Sequence, residues 1–196
     1  MKRKNVIALY YITPIENIPS IIKNGILSHN KAKGIKSYSI AMKEIQERRK
    51  DKEIPGAGML HDYANLYFDA HNPMLSRCRE HNDKICVLCV SPDVMSLFGV
   101  IVSDHNAASE YARFYKIEEG LMALDESMVF AQSWKHPENE VEEWKHKSVK
   151  CAEVLIPGKI APGYITQAYV ANKEAEKLFK SLKITLQVTI KSDIFF

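Results

Sequence analysis

The chain has 196 residues, 46% hydrophobic and 26% charged, with a formal net charge of +3. That length and balance fit a single domain over 1–196 with a buried core and exclude a disordered or fibrous chain. The apolar runs are far shorter than a membrane span, and Met1-Lys2-Arg3-Lys4 leads into too brief an apolar segment for a signal peptide, so a cytoplasmic protein is expected, its four cysteines reduced.

Residues 6–12 read as a strand ended by Thr13-Pro14, because proline removes a ladder donor and restricts the residue before it. Tyr11 and Thr13 then share one face. Ile15, Ile18, Ile21, Ile22 and Ile26 fall at helical spacing, with Asn17 as N-cap, Pro19 in the first turn and Gly25 after the last. A polar, basic loop follows over 28–38. From 39 to about 50, Ile40, Ala41 and Ile45 give a narrow apolar stripe on an otherwise charged helix. Between Lys23 and Lys52 there are nine Lys or Arg against three acids, a local surplus of six. Such a field suits a polyanion or a dinucleotide pyrophosphate, although a solvated helix face is the commoner explanation.

Pro55-Gly56-Ala57-Gly58 breaks the chain, which re-enters a strand over 64–68 closed by Asn72-Pro73. Residues 84–91 make the clearest strand and 100–103 another. Alanines and aromatics over 106–116 suggest a helix capped by Asp104 or Asn106. The polar stretch 117–148 is poorly patterned, so irregular structure is expected with one helix near 138–147. Residues 149–156 read as a buried strand that places Glu153 on one side with Val149, Cys151 and Leu155. A carboxylate there has either a cationic or hydrogen-bonding partner or a catalytic task; an edge-strand Glu facing water is the plain alternative. Pro157-Gly158 turns the chain, 164–170 is a further strand, and Asn172 caps a helix that buries Ala175, Leu178, Phe179 and Leu182. Residues 184–190 close the chain with a two-residue alternation. The order is α+β, with strands from both ends expected to share a sheet.

Cys78, His81, Cys86 and Cys89 resemble a zinc knuckle in spacing, but Cys86 and Cys89 lie in a strand where three residues span roughly 10 Å and face opposite ways. Core cysteines are expected instead, and no metal is assigned. There is no Gly-rich phosphate loop and no nucleophile elbow. The run His61-Asp62-Tyr63-Ala64-Asn65-Leu66-Tyr67-Phe68 is dense in polar groups that cost free energy in a strand unless satisfied or used, as in a binding cleft.

Tyr10-Tyr11-Ile12-Thr13-Pro14, Leu60-His61-Asp62-Tyr63 through Tyr67-Phe68, Asn72-Pro73-Met74-Leu75, Ser103-Asp104-His105-Asn106-Ala107-Ala108, Cys151-Ala152-Glu153-Val154-Leu155 and the final Phe195-Phe196 together resemble the DarT family of bacterial toxins, nearly end to end. The resemblance implies an ADP-ribosyltransferase-like fold of central β-sheets with flanking helices. It implies mono-ADP-ribosyl transfer from NAD⁺, without metal, to a base of single-stranded DNA, guanosine or thymidine. It further implies a toxin partnered by a macrodomain-type or NADAR-type antitoxin, and no membrane. Glu153 becomes the catalytic acid, holding a ribose hydroxyl and helping to deprotonate the accepting base. Arg49, or its neighbour Arg48, matches the family's arginine after the NAD-covering loop, with Arg48 otherwise in the NAD⁺ set. Tyr11, Thr13, Asn17 and Gly25 would contact NAD⁺, Tyr67 would stack on nicotinamide, and Met74, His61 and Asn106 would meet the substrate. The run Ala64-Asn65-Leu66 departs from the Val-Pro-Phe of thymidine-modifying members and points to the guanosine branch; Tyr11 stands where many members carry His. Rival readings keep the fold with RNA or protein as acceptor, or make the chain a nucleic-acid-binding module with a structural Glu153.

Overall fold

A computed structural model describes residues 1–40 and 42–196; Ala41, placed above in an apolar stripe, lies outside them. The first half of the chain runs β1 (Leu9–Pro14), α1 (Ile18–Asn24), β2 (Ile26–Leu27), α2 (His29–Ala32), α3 (Lys43–Lys50), β3 (Glu53–Ile54), β4 (Gly58–Met59), β5 (Tyr63–Tyr67), α4 (Pro73–Arg77) and β6 (Ile85–Val90). The second half runs β7 (Ile101–Ser103), β8 (Phe114–Lys116), α5 (Ile117–Ala123), α6 (Glu126–Val129), α7 (Glu140–Lys150), β9 (Glu153–Pro157), β10 (Lys159–Ile160), β11 (Ile165–Val170), α8 (Lys173–Ser181) and β12 (Val188–Ile190). Eight strands form one sheet in the order β12-β11-β6-β1-β5-β9-β7-β8, antiparallel throughout except for β11 with β12. The small β2–β10 and β3–β4 pairs stand beside it.

Every residue of β6 is buried, which is why Ile-Cys-Val-Leu-Cys-Val reads as a continuous apolar run instead of an alternation. The main core packs one side of the sheet against helices. Ile18 and Ile21 of α1, Leu121 of α5 and Phe179 of α8 meet Leu66, Leu88 and Val154 there. On the other side lie smaller clusters around Ile12, Tyr67 and Val87, and around Leu60, Tyr63 and Leu155. Strand β9 alternates between the two, with Val154 and Ile156 in the main core and Leu155 opposite. Glu153 therefore shares the side of Leu155. All four cysteines are free and buried.

Several boundaries differ from expectation for local reasons. Strand β1 starts at Leu9 and keeps Pro14. Ile15 donates to the Lys84 carbonyl, so the ring nitrogen of Pro14 faces the other side, past the single β1–β5 pairing at Tyr10 and Tyr67. Asn17 makes no capping bond, because its side chain is used elsewhere. The basic loop holds α2, capped by Ser28, and the helix expected from 39 starts at Lys43.

Residues 106–116 are not helical. Asn106 and Asp104 accept from the Ala108 and Arg113 N–H groups, closing turns that lead into β8. The stretch called irregular contains α5 and α6. Helix α7 continues through Val149 and Lys150, so the buried strand begins only at Glu153. Of 184–190 only Val188–Ile190 pairs, as a parallel edge on β11.

Candidate active site

Glu153 opens β9, held in register between Tyr67 on β5 and Ser103 on β7. Its N–H donates to Ser103 Oγ (3.3 Å), and that hydroxyl donates to the His105 carbonyl (2.8 Å). Its side chain is 0% exposed and has the partner its surroundings demanded. Arg49 Nη1 donates to both carboxylate oxygens (3.0 and 3.1 Å) and Nη2 to Oε2 (3.1 Å). The Ala107 N–H adds a further bond to Oε1 (3.0 Å). Such a charge-assisted fork fixes the guanidinium plane as well as its charge. Burial works against the Arg49 cation, but the Glu153 charge and hydrogen bonds prevail and raise its pKa above the ordinary value.

Above this pair opens a cleft of about 1450 Å³. Arg49, 8% exposed, lines it and Glu153 does not, so the guanidinium stands between the carboxylate and the cleft. In this arrangement the carboxylate's hydrogen bonds go to Arg49 and the Ala107 N–H. Arg48 is exposed at the lining, which separates the two arginines: Arg49 makes the buried pair.

Tyr11, Thr13, Asn17, Gly25, Tyr67, His61, Met74 and Asn106 all line the same cleft. Thr13 Oγ1 accepts from Asn17 Nδ2 (3.1 Å). The same amide pairs with the Tyr38 backbone, Nδ2 to its carbonyl (2.8 Å) and Oδ1 from its N–H (2.9 Å). Asn17 thus clamps the segment after α2 to β1. Gly25 has φ +89°, and a Cβ there would lie 2.2 Å from the Ile160 carbonyl oxygen.

Burial raises the Tyr11 phenol, and burial followed by the Glu153 charge raises that of Tyr67 well above its usual value. His61 stacks on His29 (4.0 Å between centroids), and its Nε2 is buried without a partner among the described residues. Desolvation, then His29 and Arg49, lower its pKa to about 4. His61 is a neutral ring at pH 7. Asn72 Oδ1 caps α4 through the Met74 and Leu75 N–H groups, which sets Met74 at the cleft wall. The Asn106 N–H donates to the Ser148 carbonyl (2.8 Å), tying its loop to α7.

Sequence reasoning missed Ala107 as a donor, Tyr38 as the partner of Asn17 and His29 as the partner of His61. Only the first had a signal, since Ala107 lies inside a quoted motif. Among the described residues the lining carries six cations, Lys33, Arg48, Arg49, Arg77, Lys145 and Lys147, against one carboxylate, Glu110. An anionic ligand is the natural occupant. The volume exceeds the roughly 300–1,000 Å³ of ordinary small-molecule pockets, leaving room for a dinucleotide with part of a strand.

The fold is of the ADP-ribosyltransferase-like class. A solved Thermus sp. 2.9 DarT in complex with ADP-ribosylated ssDNA matches it with a TM-score of 0.83 at 27% identity, covering 98% of this chain and 97% of that one. The same protein in complex with NAD⁺ matches with a TM-score of 0.79 at 25% identity, over 97% and 98% of the two chains. The model of the family described as ssDNA thymidine ADP-ribosyltransferase, DarT, matches residues 10–196, and the chain belongs to the DarT family. A DNA ADP-ribosyl transferase–DNA ADP-ribosyl glycohydrolase fusion protein of Thermosipho africanus (strain H17ap60334) is 32% identical over 197 residues. That alignment takes in 96% of this chain but 49% of the fusion protein, so the chain spans about half the length of that relative.

Proposed function

We propose that the protein is an NAD⁺-dependent mono-ADP-ribosyltransferase that modifies a base of single-stranded DNA, and that it acts as the toxin of a toxin–antitoxin pair. The observation that carries this is the buried Arg49–Glu153 fork beneath a cation-lined cleft in a DarT-family chain. NAD⁺ supplies an ADP-ribosyl group whose ribose carbon gains positive charge as nicotinamide leaves. A lone guanidinium would repel that charge; paired with Glu153 it presents a nearly neutral, rigid donor array.

In this reading Arg49 meets the ligand and Glu153 positions it. The guanidinium has five N–H donors, and those not taken by Glu153 are left for the phosphates, the ribose or the base carbonyl. Tyr67, beside Glu153, offers a ring face for nicotinamide, and Asn17 with Tyr38 holds the segment that closes over the dinucleotide. Nicotinamide leaves, the base nitrogen bonds to the ribose carbon, and the base proton departs to solvent or a neighbouring acceptor. His61 lines the cleft as a neutral ring whose Nε2 is buried, so it meets the substrate as part of the wall and leaves the proton to solvent.

Thymidine is the favoured acceptor, by the family's description. Of the run that suggested guanosine, Ala64 and Leu66 belong to the core and only Asn65 reaches the lining. The Thermosipho relative joins a DNA ADP-ribosyl transferase to a DNA ADP-ribosyl glycohydrolase, which favours an antitoxin of that activity for this chain.

The test is incubation of parent, Arg49→Lys and Glu153→Gln proteins with labelled NAD⁺ and a mixed pool of single-stranded oligonucleotides, then nucleoside mass analysis. Transfer to thymidine by the parent, reduced at least about a hundredfold in both variants, is expected. Guanosine products alone would correct the base. Labelling of RNA or protein but not DNA would overturn the acceptor, and no labelling would leave the binding-module reading.

A further inference from the structure

Helix α7 turns two faces to very different surroundings. His146, Val149 and Lys150 are buried, the last by an ion pair with Asp69 and a bond to the Val129 carbonyl (3.0 Å). Val141, Trp144, Lys145 and Ser148, at i, i+3, i+4 and i+7, share another face that lines the rim of the cleft. Trp144 leaves 65% of its surface in water there. Across the same rim Tyr111 is 82% exposed, on the loop that Asn106 ties to Ser148 and that Lys52 Nζ fixes through the Ser109 carbonyl (2.9 Å).

A large indole and a phenol held bare on rigid supports are not needed by the core. Other exposed apolar groups, such as Ile7, Phe98 and Met122, lie away from the cleft. Lys145 adjoins the indole, while Lys147 is paired with Glu143 (2.6 Å) and Glu110 adjoins Tyr111, so two flat rings share this rim with one cation outside any ion pair among the described residues. That pairing matches single-stranded nucleic acid, whose bases stack on aromatic faces while phosphates meet ammonium groups; a duplex hides its base faces.

We infer that the Trp144–Tyr111 rim is a stacking shelf for nucleotides flanking the target base, holding the single strand while the base enters the cleft. The inference rests on the proposed function in taking single-stranded DNA as ligand, and its test reads binding instead of transfer. Trp134 and Trp144 are the two tryptophans, and Trp134 is buried. Titrating the full chain with a short mixed-sequence single-stranded oligodeoxynucleotide should quench the Trp144 share of the fluorescence. Trp144→Phe should remove the quenching while largely keeping affinity. Trp144→Ala should raise the apparent Kd about tenfold, and Tyr111→Ala similarly, with KM for NAD⁺ unchanged.

Exposed positions tolerate these changes without loss of folding, which circular dichroism checks. Unchanged oligonucleotide affinity in Trp144→Ala and Tyr111→Ala, or a parent that neither binds nor is quenched, overturns the shelf. Binding and quenching without ADP-ribose transfer would keep the shelf and overturn the enzyme; transfer with variants equal to the parent would do the reverse.

Discussion

Arg49 carries its charge to a place water scarcely reaches, and four hydrogen bonds converge on the Glu153 carboxylate to keep it there. Removing one partner strands the other. Glu153→Ala should therefore destabilise by about 3–5 kcal/mol, measured by urea unfolding. Glu153→Gln, which keeps the shape and one acceptor, should lose less stability while still losing transfer. If Glu153 acts through Arg49, the Arg49→Ala/Glu153→Ala double variant should transfer no more slowly than the worse single variant; additive losses would give Glu153 its own contact with substrate.

His61 yields a pH prediction. Its folded pKa of about 4 lies below the ordinary 6.5, so between those values the unfolded chain binds more protons and stability rises with pH. The contribution is complete above about pH 6.5 and is lost as pH falls toward 4. Thermal unfolding from pH 7 to 4.5 should show a steeper acid decline in the parent than in His61→Asn. Parallel curves would mean that His61 does not feel this burial.

At the scale of elements, the Asn17–Tyr38 clamp joins a helix start to a segment 21 residues on. Asn17→Ala should release that segment, raising KM for NAD⁺ several-fold with kcat little changed, since the loss is of uniform binding and not of transition-state contact. A fall in kcat alone would place Asn17 nearer the chemistry. Why this clamp escaped the sequence is general. An Asn before an isoleucine-spaced helix has the signature of an N-cap, and only the distant Tyr38 backbone reveals its use.

The same holds across the fold. β6, β11 and α8 were legible because a continuous apolar run, a bounded strand pattern and an Asn172 cap over Ala175 and Phe179 are local facts. The 106–116 segment was not, because its caps close turns instead of starting a helix. Glu153 was marked by being acidic among apolar neighbours. Its partner lay 104 residues away: family resemblance marked Arg49 for the ligand, and only the structure pairs it with Glu153. Trp144 fell inside the helix expected near 138–147 but drew no functional reading, since the apolar pattern of α7 is interrupted by the exposed face the cleft uses.

At the scale of the whole molecule, the net charge of +3 understates the field a ligand meets, because cations gather at one cleft. Among the described lining residues Arg49 is committed to Glu153, and Lys147 pairs with Glu143 at 2.6 Å. Lys33, Arg48, Arg77 and Lys145 are left free of ion pairs. Each phosphate neutralised on a single strand contributes about −0.7 to the slope of log affinity against log salt. Contacts by all of these cations would give about −2.8 in total, and fewer once NAD⁺ phosphates occupy part of the set. Fluorescence-anisotropy titrations over a salt series should find that range, with Lys145→Ala reducing the magnitude by about 0.7. A slope and affinity untouched by Lys145→Ala but lowered by Arg48→Ala would route the strand along the opposite rim, over the basic 23–52 segment, and leave α7 facing solvent.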